Sequence, residues 1–233
     1  MSAQTQARRM TAPDIRARKG GEPLVCLTAY DAPMARILDP HCDLLLVGDS
    51  VGMVVHGLDS TIGFTLDLMV MHGKAVMRGS KSALVAVDMP FGSYEASPQQ
   101  AFENAARIMS ETGCQAIKIE SGTYAADSIA FMAERSIPVV GHIGLRPQAA
   151  LADGGYKAKG RTDAARQRVI EEARATADAG AFAILFCVGW PQDVHRNLGA
   201  IFGCRHFADH PDFTHIHRGF IKNSGLLNTA ILG

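Results

Sequence analysis

The chain has 233 residues, enough for one large domain or two small ones, and single α/β barrels run to roughly 250. A hydrophobic fraction of 47% against 20% charged residues describes a globular chain with a sizeable core and excludes disorder as its main state. The 23 basic residues balance 23 acidic ones, so no charge excess points to a nucleic-acid partner.

Apolar runs such as residues 44–47 and 181–188 fall far short of the ~20 residues that cross a bilayer, and no membrane partner is expected. Arg8, Arg9, Arg16, Arg18 and Lys19 are followed by no apolar stretch, unlike a secretory signal. The cysteines Cys26, Cys42, Cys114, Cys187 and Cys204 are odd in number and lack CxxC spacing, which fits a reducing compartment and a cytoplasmic location.

Taken in chain order, near-continuous apolar runs predict strands over 24–29, 44–48, 84–88, 116–120, 139–142 and 181–188. Between them, helix starts are marked by capping residues. Thr65 precedes a helix with Asp67 near its positive end. Ser97-Pro98-Gln99-Gln100 opens a helix whose Ala101, Phe102, Ala105, Ala106 and Met109 share one face and which ends at Gly113. Thr123 and Thr162 are the predicted caps of helices reaching about Arg135 and Ala179, the second closed by Gly180.

This alternation predicts an α/β architecture. It fits an open doubly wound sheet or a closed barrel. Polar residues at the ends of successive strands, Asp49-Ser50, Asp88, Lys118 with Glu120, and His142, favour the barrel, because a barrel brings all its strand ends to one mouth. The expected fold is therefore a (β/α)8 TIM-type barrel, incomplete, with six β/α units readable. Residues 1–20 form an N-terminal segment, 21–187 the barrel portion and 188–233 a tail of different composition. The tail holds five of the nine histidines (His195, His206, His210, His215, His217) and no glutamate occurs beyond Glu172. A barrel lacking its last strands exposes edges on its first and sixth, which the tail or a second subunit must cover.

Asp49 and Ser50 follow a buried strand directly, and Asp88 repeats the arrangement with Pro90 stopping the strand after it. Either acid alone reads as a cap or turn. Two at adjacent strand ends point to a hard cation held by oxygen ligands. Lys118 and Glu120 lie two apart on one strand and so face the same side. Inside a barrel they form a structural ion pair, or Glu120 joins the metal site directly or through a water while Lys118 donates to an anionic substrate. His142 sits between glycines at the next strand's end, where a lone histidine is more often structural than catalytic. The loop 154–160 is either an active-site cover or a solvated connection. Cys204 with the tail histidines would suit zinc, although their spacing fits no established pattern.

Ordered motifs carry a family likeness. Thr28-Ala29-Tyr30-Asp31, Leu45-Leu46-Val47-Gly48-Asp49-Ser50-Val51-Gly52-Met53, Asp88-Met89-Pro90-Phe91, Gln100-Ala101-Phe102-Glu103-Asn104-Ala105, Lys118-Ile119-Glu120, Pro138-Val139-Val140-Gly141-His142-Ile143-Gly144-Leu145, Gly154-Gly155-Tyr156-Lys157 and Gly160-Arg161 resemble ketopantoate hydroxymethyltransferases over about residues 20 to 186. The resemblance implies transfer of a hydroxymethyl unit from 5,10-methylenetetrahydrofolate to 3-methyl-2-oxobutanoate, giving 2-dehydropantoate on the route to pantothenate and coenzyme A. It also implies Mg2+ at Asp49, Asp88 and Glu120, keto-acid contacts from Asp49, Ser50, Asp88 and Lys118 with His142 nearby, and a homo-oligomer, commonly a decamer.

The chain departs from the pattern at the sixth strand. The family carries a glutamate base there, whereas this sequence reads Leu185-Phe186-Cys187-Val188-Gly189-Trp190. Cys187 occupies the glutamate's place, or that position is deleted, so no catalytic base is identified. Likeness then stops, as after a frame change or truncation. The alternative function is a catalytically inactive barrel fragment that serves only as a binding or oligomer-interaction subunit. A phosphoenolpyruvate mutase or isocitrate lyase type enzyme, which also binds keto acids and magnesium in such a barrel, is a further alternative, but no Lys-Lys-Cys-Gly-His-like segment occurs.

Overall fold

Strands β2 (Leu44–Val47), β3 (Leu84–Asp88) and β4 (Ala116–Glu120) are buried at every residue, as strands covered on both faces must be. They lie within the computed structural model, which describes residues 8–157 and 159–187 together with the backbone of 229–232. With β1 (Cys26–Thr28), β5 (Val139–Gly144) and β6 (Ala183–Cys187) they form six parallel strands paired in sequence order. Among the described residues this is an incomplete (β/α) barrel.

Side chains on the two faces of the curled sheet enter different cores. Leu44, Leu46, Leu84, Ala86, Ala116, Val140 and Leu185 form the inner cluster. The alternate residues Leu45, Val47, Val85, Val87, Ile117 and Ile119 pack outward among helix residues such as Val70, Val76, Ala105, Ile108 and Ile129. That alternation is why Lys118 and Glu120 face inward while Ile119 faces the helices.

The outer layer comprises α2 (Ala32–Leu38), α4 (Leu66–Gly79), α5 (Pro98–Thr112), α6 (Ala126–Glu134) and α8 (Asp163–Asp178), with single turns α3 (Val51–Val54) and α7 (Ala150–Asp153) after β2 and β5. The hydroxyls of Thr65, Ser97 and Thr162 accept from the backbone N–H three residues on, as expected of caps. Gly113 ends α5 at φ 77°, a left-handed turn that glycine adopts without strain. Thr123 is not a cap: it lies inside a 3-10 turn, Thr123–Ala125, and its side chain makes no capping bond, so α6 begins two residues later than its sequence predicts. β5 continues two residues past the predicted end, because Ile143 and Gly144 pair with Phe186 and Cys187.

The N-terminal segment contributes α1 (Ala12–Ala17), started by a reciprocal Thr11 and Asp14 capping box. Its Ile15 is fully buried in the inner cluster, against the residues that begin β2, β3 and β4. Arg9 donates to the Ser80 and Ala83 carbonyls at 2.6 and 2.7 Å. The helix therefore closes the end of the sheet opposite the mouth. At the far edge, β7 (Thr229–Leu232) pairs antiparallel with β6 and covers the backbone groups that a parallel neighbour would have taken.

Candidate active site

Six polar residues expected at the strand ends converge on one mouth. Asp49 follows β2, Asp88 ends β3, Lys118 and Glu120 belong to β4, and His142 lies on β5 beside Glu120. Asp49, Asp88, Lys118, Glu120 and His142 are each no more than 6% exposed. Ser50 stands at the rim with its hydroxyl 2.9 Å from the Tyr30 hydroxyl.

Lys118 Nζ lies 2.9 Å from Asp88 Oδ2, and the same oxygen accepts from the Asp49 backbone N–H at 3.0 Å. The other oxygen, Asp88 Oδ1, is buried with no hydrogen-bond partner, as are both ring nitrogens of His142. Buried polar atoms are rarely left so, and a ligand seated here would satisfy them. Gly48 permits the close approach: a Cβ there would lie 2.9 Å from Ser50 Oγ.

Three buried carboxylates share one buried lysine, with Arg146 acting on Glu120 from farther off. Burial pushes the Asp88 carboxyl up to about 7, only partly opposed by Lys118. Burial likewise raises Glu120 to about 8, against a backbone hydrogen bond from Gln148. Asp49 is raised by burial too, with Lys118 opposing. Burial pulls the Lys118 ammonium down, but Asp88 and Asp49 outweigh it and hold the group above its ordinary value. Burial, then Lys118 and Arg146, hold His142 well below 6.5, so its imidazole is neutral. The cluster thus carries a charge deficit that a cation would correct.

Among the described residues, no three His, Cys, Asp or Glu side chains converge closely enough to cage a metal ion by themselves. Asp49 and Asp88 adjoin, whereas Glu120 is drawn to the backbone N–H of Gln148 at 2.8 Å. Gln148 is a site residue that sequence reasoning missed, with Tyr94 and Tyr30. Its Nε2 donates to Asp49 Oδ2 at 2.7 Å. The only sequence signal was its place just beyond the β5 end, after Pro147.

Cys187 ends β6, is 2% exposed and belongs to the inner cluster, so its side chain faces the barrel interior at the mouth. The loop after α7 reaches α3: the Tyr156 hydroxyl lies 3.6 Å from Met53 Sδ, and Lys159 pairs with Asp153 at 2.6 Å. His195, Cys204, His206, His210, His215 and His217 lie outside the described residues.

Polar side chains gathered at the C-terminal ends of parallel strands define a barrel-type enzyme site. Solved structures share this fold at low identity. They include 2,3-dimethylmalate lyase, a PEP mutase/isocitrate lyase superfamily member (TM-score 0.59, 16% identity, 93% of this chain and 86% of that one). A phosphonopyruvate hydrolase in complex with oxalate and Mg2+ gives TM-score 0.59 at 14% identity over 80% of this chain and 67% of that one.

The chain belongs to the ketopantoate hydroxymethyltransferase family, whose model matches residues 9–197, and is thus by family a transferase. The match reaches beyond both ends of the span, 20 to 186, over which motifs are recognisable by eye. The 3-methyl-2-oxobutanoate hydroxymethyltransferase of Maricaulis maris is 79% identical over 85% of this chain and 72% of its own length. Those of Phenylobacterium zucineum and Hyphomonas neptunium are 66% and 65% identical, over 77% and 88% of this chain and 66% and 74% of their own.

Proposed function

We propose that the chain binds 3-methyl-2-oxobutanoate together with Mg2+ at this mouth. There it would transfer the hydroxymethyl unit of 5,10-methylenetetrahydrofolate to the keto acid, giving 2-dehydropantoate for pantothenate and coenzyme A synthesis. The observation that carries this reading is the buried cluster of three carboxylates and one lysine with Asp88 Oδ1 and both His142 nitrogens unpartnered.

The residues fit a magnesium ion that keeps most of its waters and takes one or two carboxylates. Asp49 and Asp88 would hold it, with Glu120 acting through a water. When bound, Mg2+ stabilises the negative charge that develops on the keto oxygen once the C3 proton is lost. The chain's own groups do the rest. Lys118, already charged, neutralises the substrate carboxylate. Neutral His142 offers one N–H and one lone pair to a bound anion or water. Ser50, held by Tyr30, fixes orientation at the rim.

On the ungapped reading Cys187, on the interior face of β6, takes the place of the family's base, and with one residue deleted that place has no counterpart; either way no carboxylate stands there. A positioned base contributes 10²–10⁴-fold, so turnover is expected to fall short of a glutamate-bearing enzyme by about that factor. This thiol also favours the second reading, a catalytically inactive subunit that still binds ligand or partner chains. A cytoplasmic homo-oligomer belongs to either reading, supported by the cysteine usage and the family likeness.

Calorimetry tests the assignment directly. Keto acid should bind in the presence of Mg2+, and Asp88→Ala should abolish it. Equal binding by both proteins would sink the proposal, and a turnover assay with the folate separates the active from the inactive reading.

A further inference from the structure

Gln148 ties together three strand ends. Its backbone N–H donates to Glu120 Oε1 at 2.8 Å, and its Nε2 donates to Asp49 Oδ2 at 2.7 Å and to the Met89 carbonyl at 3.0 Å. Its Oε1 accepts from the Tyr94 hydroxyl at 2.6 Å. The Tyr94 oxygen in turn accepts from the Glu120 backbone N–H at 3.2 Å. Gln148 and Tyr94 are 6% and 3% exposed, so water cannot easily substitute for these bonds.

The direction of every bond follows from the two ends. The Glu120 N–H can only donate, so the Tyr94 proton is free to go to Gln148 Oε1. With that oxygen engaged, the amide NH2 must face Asp49 and Met89. A flipped amide would set its oxygen against a carboxylate and a carbonyl, and would leave the Tyr94 proton facing an NH2.

We propose that Gln148 is a positioning residue for the ion-binding carboxylates. It holds Asp49 and Glu120 apart at fixed orientations, and Tyr94 sets the direction of its amide. The inference rests on the reading of the site as a divalent-cation site and adds residues that touch neither the ion nor the reacting atoms. Partners of this kind change metal affinity by about 10–100-fold in other metal sites.

The test uses Mn2+ alone as the probe, its binding to the full chain followed by electron paramagnetic resonance, with thermal melting as the check on folding. Gln148→Leu is close in size and cannot donate, and should weaken Mn2+ binding by about 10–100-fold. Tyr94→Phe keeps the ring but frees the amide to flip and leaves the Glu120 N–H without its acceptor, and should weaken binding by about 3–10-fold. The double variant should lose clearly less than the sum of the two single losses, because Tyr94 reaches Asp49 only through Gln148 and keeps of its own only the bond from the Glu120 N–H. Purely structural roles would instead give additive losses that track melting.

Wild-type affinity in Tyr94→Phe and Gln148→Leu, or additive losses in the double variant, would overturn the inference while leaving the proposed function standing. If Gln148→Leu fails to fold, Tyr94→Phe decides alone: weakened binding at an unchanged melting temperature supports the proposal, and unchanged binding overturns it. A wild type that binds no Mn2+ overturns the proposed function and this inference with it.

Discussion

Asp88→Asn should stabilise the metal-free protein at alkaline pH while removing the proposed cation site. In the native state the Asp88 carboxyl is pushed up to about 7, whereas an unfolded aspartate titrates near 3.9. Between those values the folded chain holds a proton that the unfolded chain has released. Stability is therefore fully present below about pH 4 and is lost as pH rises towards 7. At about 1.4 kcal/mol per pH unit, the full difference is about 4 kcal/mol, part of it due to the neighbouring Asp49 charge. Asparagine mimics the protonated form, with its oxygen receiving Lys118 and the Asp49 N–H. Its NH2 then falls where Asp88 Oδ1 now lacks a partner, at a cost of about 1–3 kcal/mol.

The net expectation at pH 8 is a variant more stable than wild type by about 1–3 kcal/mol. Glu120 and His142 also titrate, in opposite senses, and differ little between the two proteins, while Asp49, whose charge helps raise Asp88, ionises more readily beside a neutral asparagine and so adds to the variant's advantage. Urea unfolding in EDTA, at pH 5 and pH 8, measures that difference. It should grow by about 3 kcal/mol in the variant's favour over this range. Saturating Mg2+ should restore the wild type by about 2.7 kcal/mol at a hundredfold excess over Kd and leave the variant unchanged. A pH-independent difference, or one that grows in favour of wild type, would refute the claim that Asp88 is held as a desolvated acid.

Two further outcomes concern the scaffold. Gly141→Ala would place a Cβ 2.2 Å from Thr176 Cγ2 and 2.8 Å from Ser121 Oγ, so α8 must move off β5, with an expected loss of about 1–3 kcal/mol in urea unfolding. Adding Thr176→Ser removes the offending methyl and should recover part of that loss; no recovery would contradict the contact. Asp39 accepts from the Ser80 and Ser82 hydroxyls at 2.6 Å each and from the Lys81 and Ala83 backbone at 3.0 Å. Burial pushes its carboxyl up, but these hydrogen bonds outweigh burial and hold it well below the usual range. The stability it contributes is present above about pH 4 and is lost as pH falls below that. Asp39→Asn should cost about 2 kcal/mol or more at pH 7 and should flatten the acid limb of the stability curve, which urea unfolding from pH 3 to 7 would reveal.

Local patterning made much of this protein legible in its sequence. The strands over residues 84–88 and 116–120 coincide with their apolar runs, because a strand buried on both faces is apolar except where its inward residues reach the mouth, as Asp88, Lys118 and Glu120 do. The caps at Thr65, Ser97 and Thr162 act within one helical turn, and the inward orientation of Lys118 and Glu120 follows from the two-residue period of a strand. Thr123 misled, since a capping residue type also occurs inside 3-10 turns and only the backbone distinguishes them.

Contacts between distant residues lay beyond that reach. The sequence alone could place Asp49, Asp88 and Glu120 at strand ends and supply their family meaning, but their adjacency and shortage of positive charge arise only when β2, β3 and β4 are side by side. Gln148 joins Asp49 across 99 positions, and no periodicity or spacing encodes such a bond. The same holds for α1, whose capping box is local but whose burial beneath the sheet is not, and for β7, whose pairing with β6 depends on an edge left open elsewhere. Sequence determined which residues could carry charge into the interior; the tertiary structure decided which of those charges had to be shared, because burial removes the water that would otherwise have answered each one separately.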